Sequence, residues 1–246
     1  MESVKFALRI FELLAERGEL GVSELARLTG RPKTTVQRGL TTLHEAGWLR
    51  PGGSEMRRTW APSARLTSLG RGLDSAPRLR RAALPLMYAL RNATGETVHL
   101  MLREGDEVVL IERLDSPQAL RTVRPLGARA PLHAAANGKA ILASLPKETQ
   151  EQYLLGPLPP WTPRTLTSPE DLLRDLDKVR SRGYAFSDGE QDIDVRAVAA
   201  AVLDAEGHPV GSLSVSCPAS RLTDELIEPY GAQLAEAAQA ITKRYA

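Results

Sequence analysis

Two short runs of helical periodicity meet at a Gly-Arg-Pro break in "GVSELARLTGRPKTTVQRGLTTLHEAGW", residues 21–48. This break constrains the chain most tightly. Isolated helices shorter than ~12–15 residues are marginal in water, so these two must pack on each other and on a neighbour. Ser23 is expected as the N-cap of the first, with Leu25, Ala26 and Leu28 facing inward and Gly30 closing it. Pro32 suits the first turn of the second, because its missing N–H costs little there. Val36, Gly39, Leu40 and Leu43 form that helix's buried side, and Gly47 ends it. Upstream, Val4, Ala7, Leu8, Ile10, Phe11 and Leu14 recur at helical spacing as far as Gly18. Downstream, Trp48–Arg50 reads as a strand, Pro51-Gly52-Gly53 as a turn and Arg57–Trp60 as the returning strand. This is the order of a winged helix-turn-helix, expected over residues 1–70. Its helix-turn-helix covers about 22–46 and its wing about 48–61.

A short helix is expected at Ser63–Leu73. Leu79, Ala82, Ala83, Leu86 and Leu90 then predict a linker helix over 71–93, with Pro85 inside it as a candidate kink. Residues 94–246 alternate strands and helices. Apolar runs at Val98–Leu102 and Val108–Ile111 flank the turn Glu104-Gly105-Asp106, and a third strand is expected at Leu120–Val123. Helices are expected at Leu132–Leu145, Lys147–Leu155, Pro169–Arg182 and Thr223–Tyr245. Further strands are expected at Tyr184–Phe186, Val195–Leu203 and Val210–Ser216. Strand pairs at both ends with helices between them point to an α+β domain with an antiparallel sheet and flanking helices.

The length of 246 residues suits two domains of ~100–200 residues each. The net charge of +2 hides an asymmetry. Residues 1–82 carry fifteen Lys/Arg against eight Asp/Glu, and the remainder seventeen against twenty-two. A basic front attracts a phosphate backbone, although surface arginines also simply solubilise a chain. One cysteine, Cys217, excludes an internal disulfide framework and fits a reducing compartment. The longest apolar run, Ala197–Leu203, is far short of the ~20 residues that span a bilayer, and Met1 is followed by charged, periodic sequence. A soluble cytoplasmic protein with no membrane partner is expected.

The second helix of a helix-turn-helix enters the major groove by its N-terminal residues. Arg31, Lys33, Thr34, Thr35, Gln37 and Arg38 are small or polar enough for that position. The Thr hydroxyls and helix N-terminal amides suit phosphates, Gln37 an adenine, and Arg38 or Lys33 a guanine or phosphate. Arg57 and Arg58 on the hairpin are placed to reach the backbone or minor groove, and Ser23 to reach phosphate. Winged helices also serve as structural or protein-binding modules. The rival from another class is an enzyme fused to a winged helix, which would need a nucleophile–base pair, and none is identifiable. His44, His99, His133 and His208 are scattered away from metal-ligand spacing, so neither a metal nor a cofactor is expected. "NGKA" at 137–140 lacks the flanking residues of a phosphate loop and reads as a helix start with a solvated Lys139. Cys217 reads as a buried inert thiol. Asp188 and Glu190 read as structural or ligand-gating groups.

The residues also carry a resemblance. "VSELARLTGRPKTTVQRGLTTLHEAGWL" is similar to the helix-turn-helix of the IclR family of bacterial transcriptional regulators. The likeness continues in "TGETVHL" (94–100), "GARAPLHAAANGKAILASLP" (127–146), "RGYAFSDGE" (182–190) and "VRAVAAAVLDAEGHPVGSLSVSCPASRL" (195–222), in the family's order. It implies a winged helix, a linker helix and a GAF-like effector-binding and oligomerisation domain over 94–246. It further implies homodimers or homotetramers on palindromic double-stranded operators, and a regulator of either sign that responds to a small metabolite, an organic acid or aromatic compound. The effector residues it implies are Gly127, Ala128, Asp188, Ala197, Ser214 and Ser216. Ser214 and Ser216 stand two apart on a strand, so their hydroxyls share a face, where they would meet either a ligand or neighbouring backbone. The chain departs from the family pattern at several places. Asn137 interrupts "ALGKA", Asp194 replaces a glycine, Ala197 a cysteine, Ala201 a proline and Cys217 a glycine. Asp194 at a pocket mouth would repel an anion, an effect that Arg121, Arg124 and Arg129 could offset.

Overall fold

The computed structural model describes residues 2–54, 57–66 and 75–245, apart from the side chains of Arg57 and Ser75. The chain divides into two compact units, Met1–Asp74 and Ser75–Ala246. In the first unit, α1 (Glu2–Arg17), α2 (Val22–Thr29) and α3 (Lys33–Glu45) pack beside strands β1 (Leu20–Gly21), β2 (Leu49–Ser54) and β3 (Arg57–Pro62). Ile10, Leu13 and Leu14 of α1 meet Leu25 of α2, Val36, Leu40 and Leu43 of α3, and Leu49 and Trp60 of the hairpin in one core. α1 and α3 approach closely at Gly39, where a Cβ would stand 2.7 Å from Ile10 Cδ1. Not all of the apolar periodicity of α1 is used: Val4 and Leu8 are exposed.

Three expectations for this unit change. Ser23 does not cap α2. The cap is Gly21, in extended conformation and without a side-chain hydrogen bond, so Ser23 stands exposed inside the first turn. Pro32 is likewise the residue before α3 rather than its first helical one. Pro51-Gly52-Gly53 is not the turn but part of β2, paired with Trp60, Thr59 and Arg58. The strand order β1-β3-β2 leaves β2 at an edge, where a proline is tolerated. Gly52 leaves space for Glu19, which accepts a 2.6 Å hydrogen bond from Thr59. The hairpin's turn, at residues 55–56, and most of the helix expected at Ser63–Leu73 lie outside the described residues.

The second unit begins with α4 (Ser75–Thr94), whose Leu79, Ala82, Ala83, Met87 and Leu90 are part of that unit's core. The segment read as a linker, 71–93, is therefore built into the second unit from Ser75 on. The helix continues through Pro85. Strands β4 (Thr97–Glu104), β5 (Glu107–Leu114), β6 (Arg129–Pro131), β7 (Ala185–Asp188), β8 (Val195–Leu203) and β9 (Pro209–Pro218) form an antiparallel sheet in the order β6-β5-β4-β9-β8-β7. Helices α5 (Ala136–Ala143), α6 (Lys147–Leu154), α7 (Pro169–Arg182) and α8 (Asp224–Tyr245) complete the described elements. Strand alternation gives the sheet two faces of different character. Val98, Leu100, Val198, Ala200, Leu213, Val215 and Cys217 face α4 and α8. The intervening His99, Met101, Ala197, Ala199, Ser212, Ser214 and Ser216 face the other way, toward α5.

The strand expected at Leu120–Val123 does not form. The free edge of β5 pairs instead with Arg129–Pro131, and Thr122 is tied down through its hydroxyl, which donates to the Ser216 carbonyl at 3.3 Å. The helix expected from Leu132 begins only at Ala136. Residues 132–135 turn beneath it, so that a Cβ on Gly138 would stand 2.5 Å from Leu132 Cα and O. Backbone cannot yield as a side-chain tip does. We expect Gly138→Ala to destabilise the protein by about 1–3 kcal/mol, as overpacking of a close-packed core does. A lowered urea midpoint with unchanged slope would register it, and an unchanged midpoint would refute the contact.

Candidate nucleic-acid interface and ligand cavity

Helix α3 buries Val36, Leu40 and Leu43 and exposes Lys33, Thr34, Thr35, Gln37 and Arg38. No side chain caps its N-terminus, and Val36 N–H is the first amide bonded back to Pro32. The amides of its first turn therefore point outward beside Lys33, Thr34 and Thr35, a geometry that suits an anion. Gln37 Nε2 makes a long 3.4 Å contact to Thr41 Oγ1, so its amide is weakly committed. Arg31 lies over the Phe6 ring at 5.9 Å and 3.9 Å from Glu2, both at the surface. Ser23, at the start of α2, shares a surface groove with Gly53, Ser54 and Arg58 of the hairpin. Arg58 stacks over Trp60 at 6.0 Å, and Arg57 pairs its backbone with Ser54. Trp60 itself is buried, edge-on to His44 at 5.3 Å, and Trp48 meets Phe11 at 5.8 Å. Both tryptophans serve the core of the unit.

In the second unit, a cavity of ≈ 40 Å³ lies between α5 and the serine face of the sheet. Of the six residues expected there, Ala197, Ser214 and Ser216 line it. Gly127, Ala128 and Asp188 do not. Gly127 and Ala128 bond their backbones to Leu110 and Pro125 in the approach to β6. Asp188 projects to the opposite side of β7 from Ser187, which does line the cavity, and its carboxylate is held by Arg164 at 3.0 Å and Arg196 at 2.9 Å. The Ser214 hydroxyl is bonded by a side chain and not by backbone. Asn137 Nδ2 donates to Ser214 Oγ at 2.8 Å, and Asn137 Oδ1 accepts from Ser212 Oγ at 2.9 Å.

His99, Gln191, Arg124 and Asp192 complete the polar lining. Of these, sequence reading placed only Arg124 near a pocket mouth; it missed His99, Gln191 and Asp192 because the polar side of β4 and the loop at 189–194 come together only in the folded unit. His99 Nε2 and Gln191 Nε2 are buried without a hydrogen-bond partner. Of the three arginines considered, Arg129 is taken by Glu104 at 2.8 Å and Glu107 at 2.7 Å, and Arg121 lines only an outer groove with Asp194. Arg124 lines both that groove and the cavity. Burial first, and then the Arg124 and Arg113 guanidiniums, lower the His99 pKa from 6.5 to about 3, so the imidazole is neutral in the fold.

Lys139 is not solvated, as its sequence context suggested, but 1% exposed. Its ammonium donates to Glu190 Oε1 at 2.6 Å and lies 2.8 Å from Asp175 Oδ2, an ion contact rather than an aligned hydrogen bond. Burial pushes the Glu190 carboxyl up from its ordinary range, against the pull of Lys139. Burial likewise raises the Cys217 thiol to about 12, which leaves it inert at neutral pH. Among the described residues, no group of His, Cys, Asp and Glu could hold a metal, and no helix is long and apolar enough to cross a membrane.

Two pH- and charge-dependent outcomes follow from these buried groups. His99 binds a proton below 6.5 in the unfolded chain but only near 3 in the fold. The stability this contributes is present above pH 6.5 and is lost as pH falls from 6.5 toward 3, at about 1.4 kcal/mol per unit. Urea titrations of His99→Asn between pH 7 and 4.5 should show a flatter acid limb than those of the unmodified chain, and parallel limbs would contradict the burial of His99. Lys139→Ala leaves Asp175 and Glu190 facing each other without a cation, and should cost about 3–5 kcal/mol at pH 7. That loss should shrink as acid protonates Glu190.

Residues 3–53 match the IclR helix-turn-helix domain family, and residues 73–243 match the family described as bacterial transcriptional regulator IclR, C-terminal. The chain is 33% identical over 249 aligned positions to the transcriptional repressor IclR of Escherichia coli K12, covering 100% of this chain and 90% of the relative. The crystal structure of the Thermotoga maritima IclR superposes with a TM-score of 0.80 at 32% identity, covering 100% of this chain and 99% of that one. An IclR homologue from Microbacterium hydrocarbonoxydans, solved in complex with 4-hydroxybenzoate, superposes with a TM-score of 0.75 at 28% identity over 99% of this chain and 98% of its own.

Proposed function

The chain belongs to the IclR family of bacterial transcriptional regulators, and from that membership we propose which of its residues read DNA and where its effector sits. As an IclR-type regulator it couples a DNA-binding helix-turn-helix to an effector-binding C-terminal domain. The outward row of α3 carries the DNA assignment. Lys33, Thr34 and Thr35, with the free amides of the first turn, take phosphates and set the register. Gln37 and Arg38, one turn further on, reach base edges. Arg31 and Ser23 hold phosphates at the start of the two helices, and Arg57 and Arg58 extend the contact along the wing. The basic charge of residues 1–82 supports this reading.

The effector is a small organic acid in the cavity over Ala197, Ser214 and Ser216. The unpartnered Gln191 Nε2 donor and the His99 Nε2, which donates when the neutral ring carries its proton there, with Arg124 on the rim, support an anion there. The protein works as a homo-oligomer on a palindromic operator, because two winged helices must meet half-sites about one helical turn, ~34 Å, apart. The cavity lies on one face of the sheet and α4 packs on the other. A ligand that repacks the sheet therefore moves α4, and α4 leads to the winged helix in sequence. Such a ligand shifts operator affinity only as far as it prefers one arrangement over the other.

Arg38→Ala tests the helix assignment directly. We expect operator binding to weaken by about 1–3 kcal/mol, with selectivity relaxed at one base position and thermal unfolding unchanged. Equal affinity for the operator in a titration at fixed salt would remove Arg38 from the interface.

A further inference from the structure

The part of the cavity floor that β8 and β9 supply is small: Ala197, Ser214 and Ser216, beside the larger His99 and Met101 of β4. Ala197 and Ser216 are cross-strand partners, and Ser214 faces Ala199 in the next pair. Such a floor has room for a ring above it. Yet the cavity measures only ≈ 40 Å³, well below the about 150 Å³ of a site that accepts benzene. The space is taken by Asn137. Helix α5 starts at Ala136, directly over the floor, so Asn137 stands on its first turn and reaches down to β9. The amide is 8% exposed and bonded at both ends, to Ser214 at 2.8 Å and to Ser212 at 2.9 Å. It cannot swing aside without leaving two buried hydroxyls and itself unpaired. α5 itself is pinned two residues later by the buried Lys139, so the helix does not lift to make room.

What remains of the cavity holds unpaired nitrogens: Gln191 Nε2 and His99 Nε2 are buried and unpartnered. Arg124 on the rim forms no ion pair among the described residues. Asp192 lies on the same rim but is exposed, so water screens its repulsion. This set matches a carboxylate with little carbon attached.

We propose that Asn137 decides which acids the cavity admits: with Asn137 in place the site takes carboxylates of two or three carbons, held by Arg124, Gln191 and His99, and refuses aromatic acids. The proposal rests on the cavity being the effector site. Asn137 is a specificity residue acting by volume and by occupying the two serines, and its replacement by a smaller residue opens the floor to a ring.

The test uses the full-length protein and three probes, acetate, propionate and benzoate, with calorimetric titration of the unmodified chain, Asn137→Ala and Asn137→Ser. Asn137→Ser retains a hydroxyl over the serines and serves where Asn137→Ala fails to fold. Propionate should bind the unmodified chain at least about tenfold tighter than benzoate, and the order should reverse in either variant. Ala197→Leu, which fills the remaining space from the floor, should abolish propionate binding with the Asn137 bonds intact. Equal or tighter benzoate binding by the unmodified chain overturns the proposal. So does an unchanged ratio in the folded variants, or binding of none of the three acids to any of the proteins. Operator titrations with and without propionate separate the two layers. Propionate that binds with the expected preference but leaves operator affinity unchanged sinks the effector reading and leaves the role of Asn137 standing.

Discussion

A single buried ammonium holds the second unit in register. Lys139 is buried away from solvent, and a charge removed from water is tolerable only against opposite charge. Asp175 on α7 and Glu190 on the turn after β7 supply that charge from two different parts of the chain. A buried ion pair of this kind adds little net stability, because desolvation offsets most of the attraction. Its consequence is positional. α5, α7 and the 189–194 turn cannot separate without stranding a charge, so the cavity roof and its rim keep one arrangement. Gly138, pressed on Leu132 backbone beside the lysine, enforces the same arrangement sterically.

With α5 held in place, the two faces of the sheet take different roles. The face toward α4 and α8 is packed with aliphatic side chains and carries the core. The other face carries alanines and serines along β8 and β9, and these leave space beside His99 and Met101 of β4. Asn137 fills part of it from above, and the remainder is a small cavity with the unpartnered His99 Nε2 and Gln191 Nε2 in its wall. A close-packed sheet transmits small shifts instead of absorbing them. The cavity and α4 lie on opposite faces of the same strands, β4 and β9.

The elements legible in the sequence were those whose ends carry their own chemistry. α7 was expected at Pro169–Arg182 and is found there. Ser168 accepts a bond from the Asp171 amide, Pro169 opens the helix and Gly183 closes it in the left-handed region at φ +83°. β8 was legible because Ala197–Leu203, most of its length, is a continuous apolar run. Where a partner decided the outcome, local signals misled. Pro51-Gly52-Gly53 carries every mark of a turn, yet an edge position made it a strand. Leu120–Val123 has the composition of a strand, yet β6 took the edge it needed.

The sequence by itself determined the winged helix and the character of the outward face of α3. Helical spacing separates Val36, Leu40 and Leu43 from Lys33, Thr34, Gln37 and Arg38 before any fold is known, since one helix supplies both faces. It also determined that Ser214 and Ser216 share a side of their strand, for the same reason of period. Only the tertiary structure decided what those serines meet. Asn137 lies 77 residues from Ser214 in the chain and 2.8 Å from it in space. Lys139 and Glu190 are 51 residues apart and 2.6 Å from contact atom to contact atom. Periodicity reports which way a side chain points, but its partner depends on how distant segments are layered, and no local pattern encodes that.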